Sequence, residues 1–125
     1  QSPVYRYYFH RTPPFPANVR MRERHPSERY GAFHSAEVIY AFNNLRRKTD
    51  WPWESMDHEL SSAMARYWTQ FARTGNPNGG DLPIWPQYER AKQQVLHLGT
   101  RISSGEVPHR AALQFFDAEH VKPNV

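Results

Sequence analysis

The chain has 125 residues, a length that fits one domain, and it carries 14% aromatic residues and 11 prolines. It contains no cysteine, which excludes disulfides, thiolate catalysis and cysteine zinc sites but does not fix the compartment. No apolar run approaches the ~20 residues of a membrane span, so we expect no membrane partner. The first residue is glutamine, so we do not take it as a natural start.

The formal net charge is +4, and the basic residues form two clusters, at 19–30 and 45–48. A nucleic-acid surface requires a continuous basic stripe, ideally with aromatic residues between the charges. Glutamates interrupt the first cluster, and the second follows a predicted helix, where cations complement the helix dipole. We therefore predict solvated surface and no nucleic-acid partner. A module that binds acidic partners through its arginines is the weaker alternative.

The first predicted element is a strand at 4–11, because this stretch is rich in β-branched and aromatic residues and ends at a run of prolines. Both of its faces carry large side chains, as expected for a strand covered on both sides in an α/β sheet. A long loop follows to residue 33. Apolar residues at helical spacing then predict a helix from 38 to 45.

The clearest element is a helix at 57–74. One apolar stripe runs along it, formed by Leu60, Met64, Tyr67, Trp68 and Phe71. Gly75 is placed as a left-handed C-cap, and Pro77 blocks continuation of the helix. We interpret the stripe as ordinary core rather than as a ligand site.

A short strand at 93–99 and a helix at 112–120 complete the predicted elements. Only two strands are convincing, and two strands are marginal on their own. The fold class is therefore predicted to be α/β, with the chain forming the last part of a larger domain. The uncovered aromatic faces predict that the isolated chain packs with the remainder of that domain or self-associates.

The patterns that could bind a metal or a cofactor are incomplete. Residues 58–60 lack the second histidine of H-E-x-x-H, and a proline interrupts the Glu-x-x-His spacing at 106–109. The chain has neither a phosphate-binding G-x-G-x-x-G nor a G-K-[ST] motif. No metal and no cofactor is predicted.

His34 is the candidate for acid–base chemistry, since it precedes a predicted helix that Ser35 could cap. The positive end of that helix disfavours the imidazolium form, whereas Glu37 would favour it. Spacing alone leaves three interpretations open: a catalytic base, one ligand of a metal, or an ordinary surface or core histidine.

Five segments of the chain carry a family resemblance. The pattern around His34, GAFHSAEVIYAF, resembles the histidine motif of the type B carboxylesterase and cholinesterase family of α/β-hydrolases. Four more segments resemble family motifs in the same order: VYRYYF, YWTQFARTGNPNG, LPIWPQYE and QFFDAE. Ser35 stands where many relatives have glycine, and Phe116 stands where tryptophan is common.

The resemblance implies that residues 1–125 are the C-terminal part of an α/β-hydrolase domain and that His34 is the general base and acid of a Ser–acid–His triad. Glu37 and Ser35 are then residues near the triad, with Glu37 buried, although a simple charge at a helix N-terminus fits Glu37 equally well. No serine here lies in a Gly-x-Ser-x-Gly elbow. The nucleophile and the triad acid are therefore expected outside this chain.

The implied function is hydrolysis of small-molecule carboxylic esters by the whole enzyme, and the isolated chain is expected to be inactive. The alternative is a non-catalytic cholinesterase-like adhesion module. Retention of His34 in its motif favours the enzyme.

Overall fold

The computed structural model describes residues 2–17 and 30–120. The basic cluster at 19–30 therefore lies outside the described residues, apart from Tyr30. In chain order the elements are β1 (Tyr7–Phe9), α1 (Val38–Ala41), a 3-10 turn (Leu45–Arg47), α2 (Ser55–Thr74), β2 (Gln94–Leu98), β3 (Ile102–Glu106) and α3 (Arg110–His120).

The sheet has three strands in the order β1-β2-β3, so the sequence-based count of two strands was wrong. β1 runs parallel to β2, with Tyr7 opposite Leu96, and β3 returns antiparallel to β2, with Ile102 opposite Leu98. The β3 sequence, ISSGE, escaped prediction because serine, glycine and glutamate have weak strand preference. The hydrogen bonds to β2 hold this segment as a strand, although its own residues do not favour one.

β1 is shorter than the predicted strand at 4–11, but its hydrogen bonding extends beyond the strand at both ends. The Leu96 N–H donates to the Arg6 carbonyl (3.0 Å), and the His10 N–H donates to the Leu98 carbonyl (2.9 Å). Tyr5 forms an isolated bridge with Gln87. The predicted extended segment is therefore present, with three residues in regular ladder geometry.

The long helix α2 confirms the prediction in position and in role. It begins two residues earlier than predicted, because Glu54 and Asp57 form a reciprocal capping box at its N-terminus. It ends at Thr74, and the C-cap residue Gly75 has a φ of 74° and an N–H that donates to the Phe71 carbonyl (2.8 Å). The left-handed C-cap predicted from the glycine is thus confirmed.

The core lies between α2 and one face of the sheet. Nine buried side chains form it: Tyr40, Leu45, Leu60, Ala63, Met64, Tyr67, Trp85, Leu96 and Leu98. The apolar stripe of α2 therefore packs in the core from Leu60 to Tyr67, whereas Phe71 at its far end is 46% exposed.

The predicted helix at 38–45 is interrupted. α1 ends at Ala41, and Asn43 has a φ of 51°, a left-handed value that breaks the helical path before the 3-10 turn. Arg46 and Arg47 are exposed in that turn, as expected for solvated surface.

The last helix, α3, begins two residues before its predicted start, and it buries none of its side chains against the described residues. Phe115 and Phe116 are 62% and 59% exposed. Among residues 2–17 and 30–120, no helix has both the length and the apolar character needed to cross a bilayer.

Candidate active-site turn

His34 lies in two successive tight turns that precede α1. The Ala36 N–H donates to the Phe33 carbonyl (2.9 Å), and the Val38 N–H donates to the Ser35 carbonyl (3.2 Å). The His34 side chain is exposed, whereas Ala36 two residues later is only 2% exposed. The imidazole is therefore accessible while the backbone behind it is buried.

Ser35 does not cap the helix, so that prediction was wrong. α1 begins only at Val38, its N-cap position is Glu37, and no side chain caps it. Ser35 instead has a φ of 65°, the left-handed region that glycine adopts without steric cost. This geometry explains physically why glycine would suit the position. The expected influence of the helix dipole on His34 is also weak, because α1 spans a single turn.

Glu37 is half-buried at the start of α1. Burial raises the pKa of Tyr7 on β1, and the negative charge of Glu37 raises it further. The carboxylate is therefore close enough to β1 to act on Tyr7. This placement is compatible with both interpretations of Glu37, the residue near the triad and the charge at the helix N-terminus.

An aromatic cluster holds the chain next to His34. The Phe33 ring lies 5.5 Å from the Phe15 ring, and the Phe15 ring lies 5.2 Å from the Trp51 ring, measured between centroids. An apolar hollow of about 240 Å³ opens beside the turn, with Phe33, Ile39 and Trp51 on its walls. Apolar contacts therefore fix one side of the turn.

Tyr40 anchors the other end of the turn and α1. Its side chain is fully buried, with the ring 5.3 Å from Phe9 on β1 and 5.8 Å from Trp53. Its hydroxyl donates to Asp57 Oδ1 (2.8 Å), and its carbonyl accepts a hydrogen bond from the Ser61 hydroxyl (2.9 Å). Tyr40 thus ties α1 to β1 and to α2 at once.

Asp57, in the first turn of α2, is the centre of a polar network that sequence reasoning missed. Arg11 reaches it from beyond the end of β1 and donates through Nε to Oδ1 (2.8 Å) and through a terminal nitrogen to Oδ2 (3.1 Å). The Glu54 N–H donates to Oδ2 (2.9 Å), and the Glu54 carboxylate accepts a hydrogen bond from Arg11 (2.8 Å). A buried carboxylate is tolerated here because every acceptor site is filled.

The charge states of this network follow from the contacts. Burial alone would raise the pKa of Asp57, but hydrogen bonds from Arg11, the Glu54 N–H and Tyr40 outweigh it and hold that pKa below its usual value. The hydrogen bond to Asp57 raises the pKa of Arg11, and burial raises the pKa of Tyr40. At neutral pH the network is an ion pair with a neutral phenol.

Two other histidines lie next to each other at the sheet. His10, just after β1, and His97, on β2, have ring centroids 5.8 Å apart, and burial followed by the charge of His97 lowers the pKa of His10. Within residues 2–17 and 30–120, no group of three histidine, aspartate or glutamate side chains is arranged to hold a metal ion.

The amino-acid sequence carries no signal of this network, because Arg11 and Asp57 lie 46 positions apart. In the sequence, Tyr40 stands out only as one residue of the motif around His34.

Comparisons with known proteins place these features in context. A sequence model described as the carboxylesterase family matches residues 1–116. The human cocaine esterase is 31% identical over 116 residues, which are 93% of this chain and 20% of that protein. Carboxylesterase 5A of Canis lupus familiaris is 34% identical over 119 residues, again 20% of its length.

A solved structure of a PNB esterase superposes with a TM-score of 0.65 at 24% identity, covering 90% of this chain and 21% of that one. At this identity the superposition shows the fold, which is part of the α/β fold of an esterase. The chain spans about a fifth of the length of the relatives it matches.

Proposed function

Because this chain belongs to the carboxylesterase family, we propose that residues 1–125 are the C-terminal part of a serine carboxylesterase and supply its catalytic histidine, His34. The relatives matched over this length are about five times longer, which supports a role for the chain as one portion of a hydrolase domain.

One observation carries the assignment of His34. Its imidazole is exposed, while the aromatic cluster and the buried Tyr40 fix the backbone on both sides of it. No hydrogen bond from another described residue occupies the ring. A general base needs both features, because its ring must reach the reacting group and its main chain must not move.

The chemistry assigned to His34 is proton transfer in two half-reactions. In acylation, His34 takes the proton from the serine hydroxyl as the serine oxygen bonds to the ester carbonyl carbon, and then gives that proton to the departing alcohol. In deacylation, it takes a proton from water, whose oxygen attacks the acyl-enzyme, and returns a proton to the serine. The products are a carboxylic acid and an alcohol, and no cofactor is needed.

The serine and the triad acid come from outside residues 1–125 in this proposal. No serine of the chain lies in a Gly-x-Ser-x-Gly sequence. The isolated chain is therefore expected to hydrolyse p-nitrophenyl esters no faster than free imidazole does.

The remainder of the domain is the proposed partner of the exposed apolar side chains. Phe42 is 72% exposed, Ile84 67% and Phe71 46%, which is unusual for large apolar residues of a complete core. Self-association of the isolated chain through the same surfaces follows from the same exposure.

The test is replacement of His34 by Ala in the full-length protein. We expect kcat to fall roughly 10⁴-fold with little change in KM, because only binding and the oxyanion hole then contribute. The controls are Gln variants of the other histidines, expected within about tenfold of the parent: His10, His25, His58, His97, His109 and His120.

Two results would contradict the proposal. One is retention of most of the activity by a folded His34→Ala protein. The other is a full-length parent protein that neither hydrolyses esters nor reacts with a fluorophosphonate, which would favour the non-catalytic adhesion module.

A further inference from the structure

We infer that the Arg11–Asp57–Tyr40 network positions His34 for catalysis, so that these three are positioning residues of the esterase. The inference rests on the proposed role of His34. Arg11, which follows β1, binds Asp57 on α2, and Asp57 binds Tyr40, so the network holds α1, the helix that follows the His34 turn.

The turn needs support from outside because its own helix is too short to provide it. α1 has four residues, and its N-cap residue makes no capping hydrogen bond through a side chain. A single helical turn is unstable in isolation, since nucleation costs more than one hydrogen bond returns. Ser35 also holds a left-handed φ, which adds local strain.

The network supplies that support at Tyr40, six positions after His34. The Tyr40 hydroxyl binds Asp57 on α2, and Asp57 is bound in turn by Arg11, which follows β1. Removing the hydroxyl would leave the Tyr40 ring in place against Phe9 and Trp53. It would remove only the bond from Tyr40 to Asp57, whereas the Ser61 hydroxyl would keep its hydrogen bond to the Tyr40 carbonyl.

Asp57 does not have a free oxygen with which to act as the triad acid. Its Oδ1 accepts from Arg11 and Tyr40, and its Oδ2 accepts from Arg11 and the Glu54 N–H. A carboxylate offers about four acceptor sites, and all are used. Its effect on His34 is therefore carried through Tyr40 and α1.

Tyr67 provides a matched control on α2. Like Tyr40 it is a fully buried tyrosine whose hydroxyl donates one hydrogen bond, in this instance to the Pro83 carbonyl. Tyr40→Phe and Tyr67→Phe therefore make the same chemical change in the same core. Only Tyr40→Phe breaks a bond to the helix that follows His34.

The experiment compares Tyr40→Phe, Tyr67→Phe and His34→Ala in the full-length protein, well below the melting temperature of each. We expect Tyr40→Phe to lower kcat about tenfold, with KM within about twofold, and to slow fluorophosphonate labelling of the serine to a similar extent. Tyr67→Phe should keep kcat and KM within about twofold of the parent, even if its melting temperature falls as much as that of Tyr40→Phe.

The remaining outcomes separate the two proposals. If His34→Ala is inactive but Tyr40→Phe and Tyr67→Phe have equal kcat values, or Tyr40→Phe changes KM alone, the positioning inference is wrong and the role of His34 stands. If folded His34→Ala keeps its activity, the proposed function is wrong and the inference fails with it.

Discussion

Removing the Arg11 side chain should expose the electrostatic cost of burying Asp57. The carboxylate is fully buried and the Arg11 side chain is 15% exposed, so Arg11→Ala leaves an unneutralised charge in the core. Breaking such a pair costs about 3 kcal/mol, the low end of the range for buried pairs, because Arg11 retains some contact with water. We expect this loss to appear as local opening of α1 and the first turn of α2.

The assay is amide hydrogen exchange of the full-length protein, followed by mass spectrometry of peptides that cover residues 36–64. A loss of about 3 kcal/mol corresponds to a protection factor about a hundredfold lower. Arg11→Ala combined with Asp57→Ala should cost about 2 kcal/mol less than the sum of the two single variants, since the double variant leaves no unpaired charge. Arg66→Ala, which removes an arginine from an exposed pair with Asp81, is the control and should leave these peptides unchanged.

The pH dependence gives the sign of the effect. In the parent protein the folded-state pKa of Asp57 is lowered, so its contribution is complete above the ordinary carboxyl pKa of about 3.9 and is lost as pH falls through the folded value. Without Arg11, the pKa of Asp57 rises relative to the parent because the Arg11 hydrogen bonds and positive charge that oppose burial are lost. Protonation of Asp57 then removes the unpaired charge of the variant at a higher pH. The difference between parent and variant should therefore be largest at pH 7 and shrink on acidification. Additive single costs, or a difference that grows toward low pH, would refute this account.

Two further substitutions test backbone features. Ser35→Gly should raise stability by about 0.5–1 kcal/mol, because glycine adopts the left-handed φ of 65° without strain; thermal melting measures this, and a lower melting temperature would contradict it. Gly99→Ala should destabilise by about 1–3 kcal/mol, since its added Cβ would lie 2.1 Å from the His10 ring. The double variant Gly99→Ala with His10→Ala should recover most of the lost stability in the same melting experiments. If it does not, the His10 ring is not the group that clashes with the added Cβ.

The sequence predicted best those elements that are determined by residues close together in the chain. α2 has its apolar stripe and its C-terminal Gly75 within one contiguous stretch, so helical periodicity and the glycine cap were sufficient to predict it. β3 was missed because its order comes from pairing with β2. The end of α1 was misjudged because the left-handed Asn43 leaves no periodic signature.

The candidate site divides in the same way. A motif of consecutive residues indicated His34, and the structure shows it exposed on an anchored turn. The anchor itself could not be predicted, because Arg11, Tyr40 and Asp57 come from three distant stretches. Complementary charge alone does not select one partner among the many charged residues of the chain.

The parallel pairing of β1 with β2 has a consequence during synthesis. The two strands meet at Tyr7 and Leu96, about ninety residues apart in the chain. At translation rates of about 5–20 residues per second, β1 emerges from the ribosome roughly 5–20 seconds before β2 can reach it. Through that interval one edge of a tyrosine-rich strand cannot form its native ladder with β2, and it is open to strands of neighbouring nascent chains. Residues 4–11 are therefore where a ribosome-associated chaperone would protect this chain.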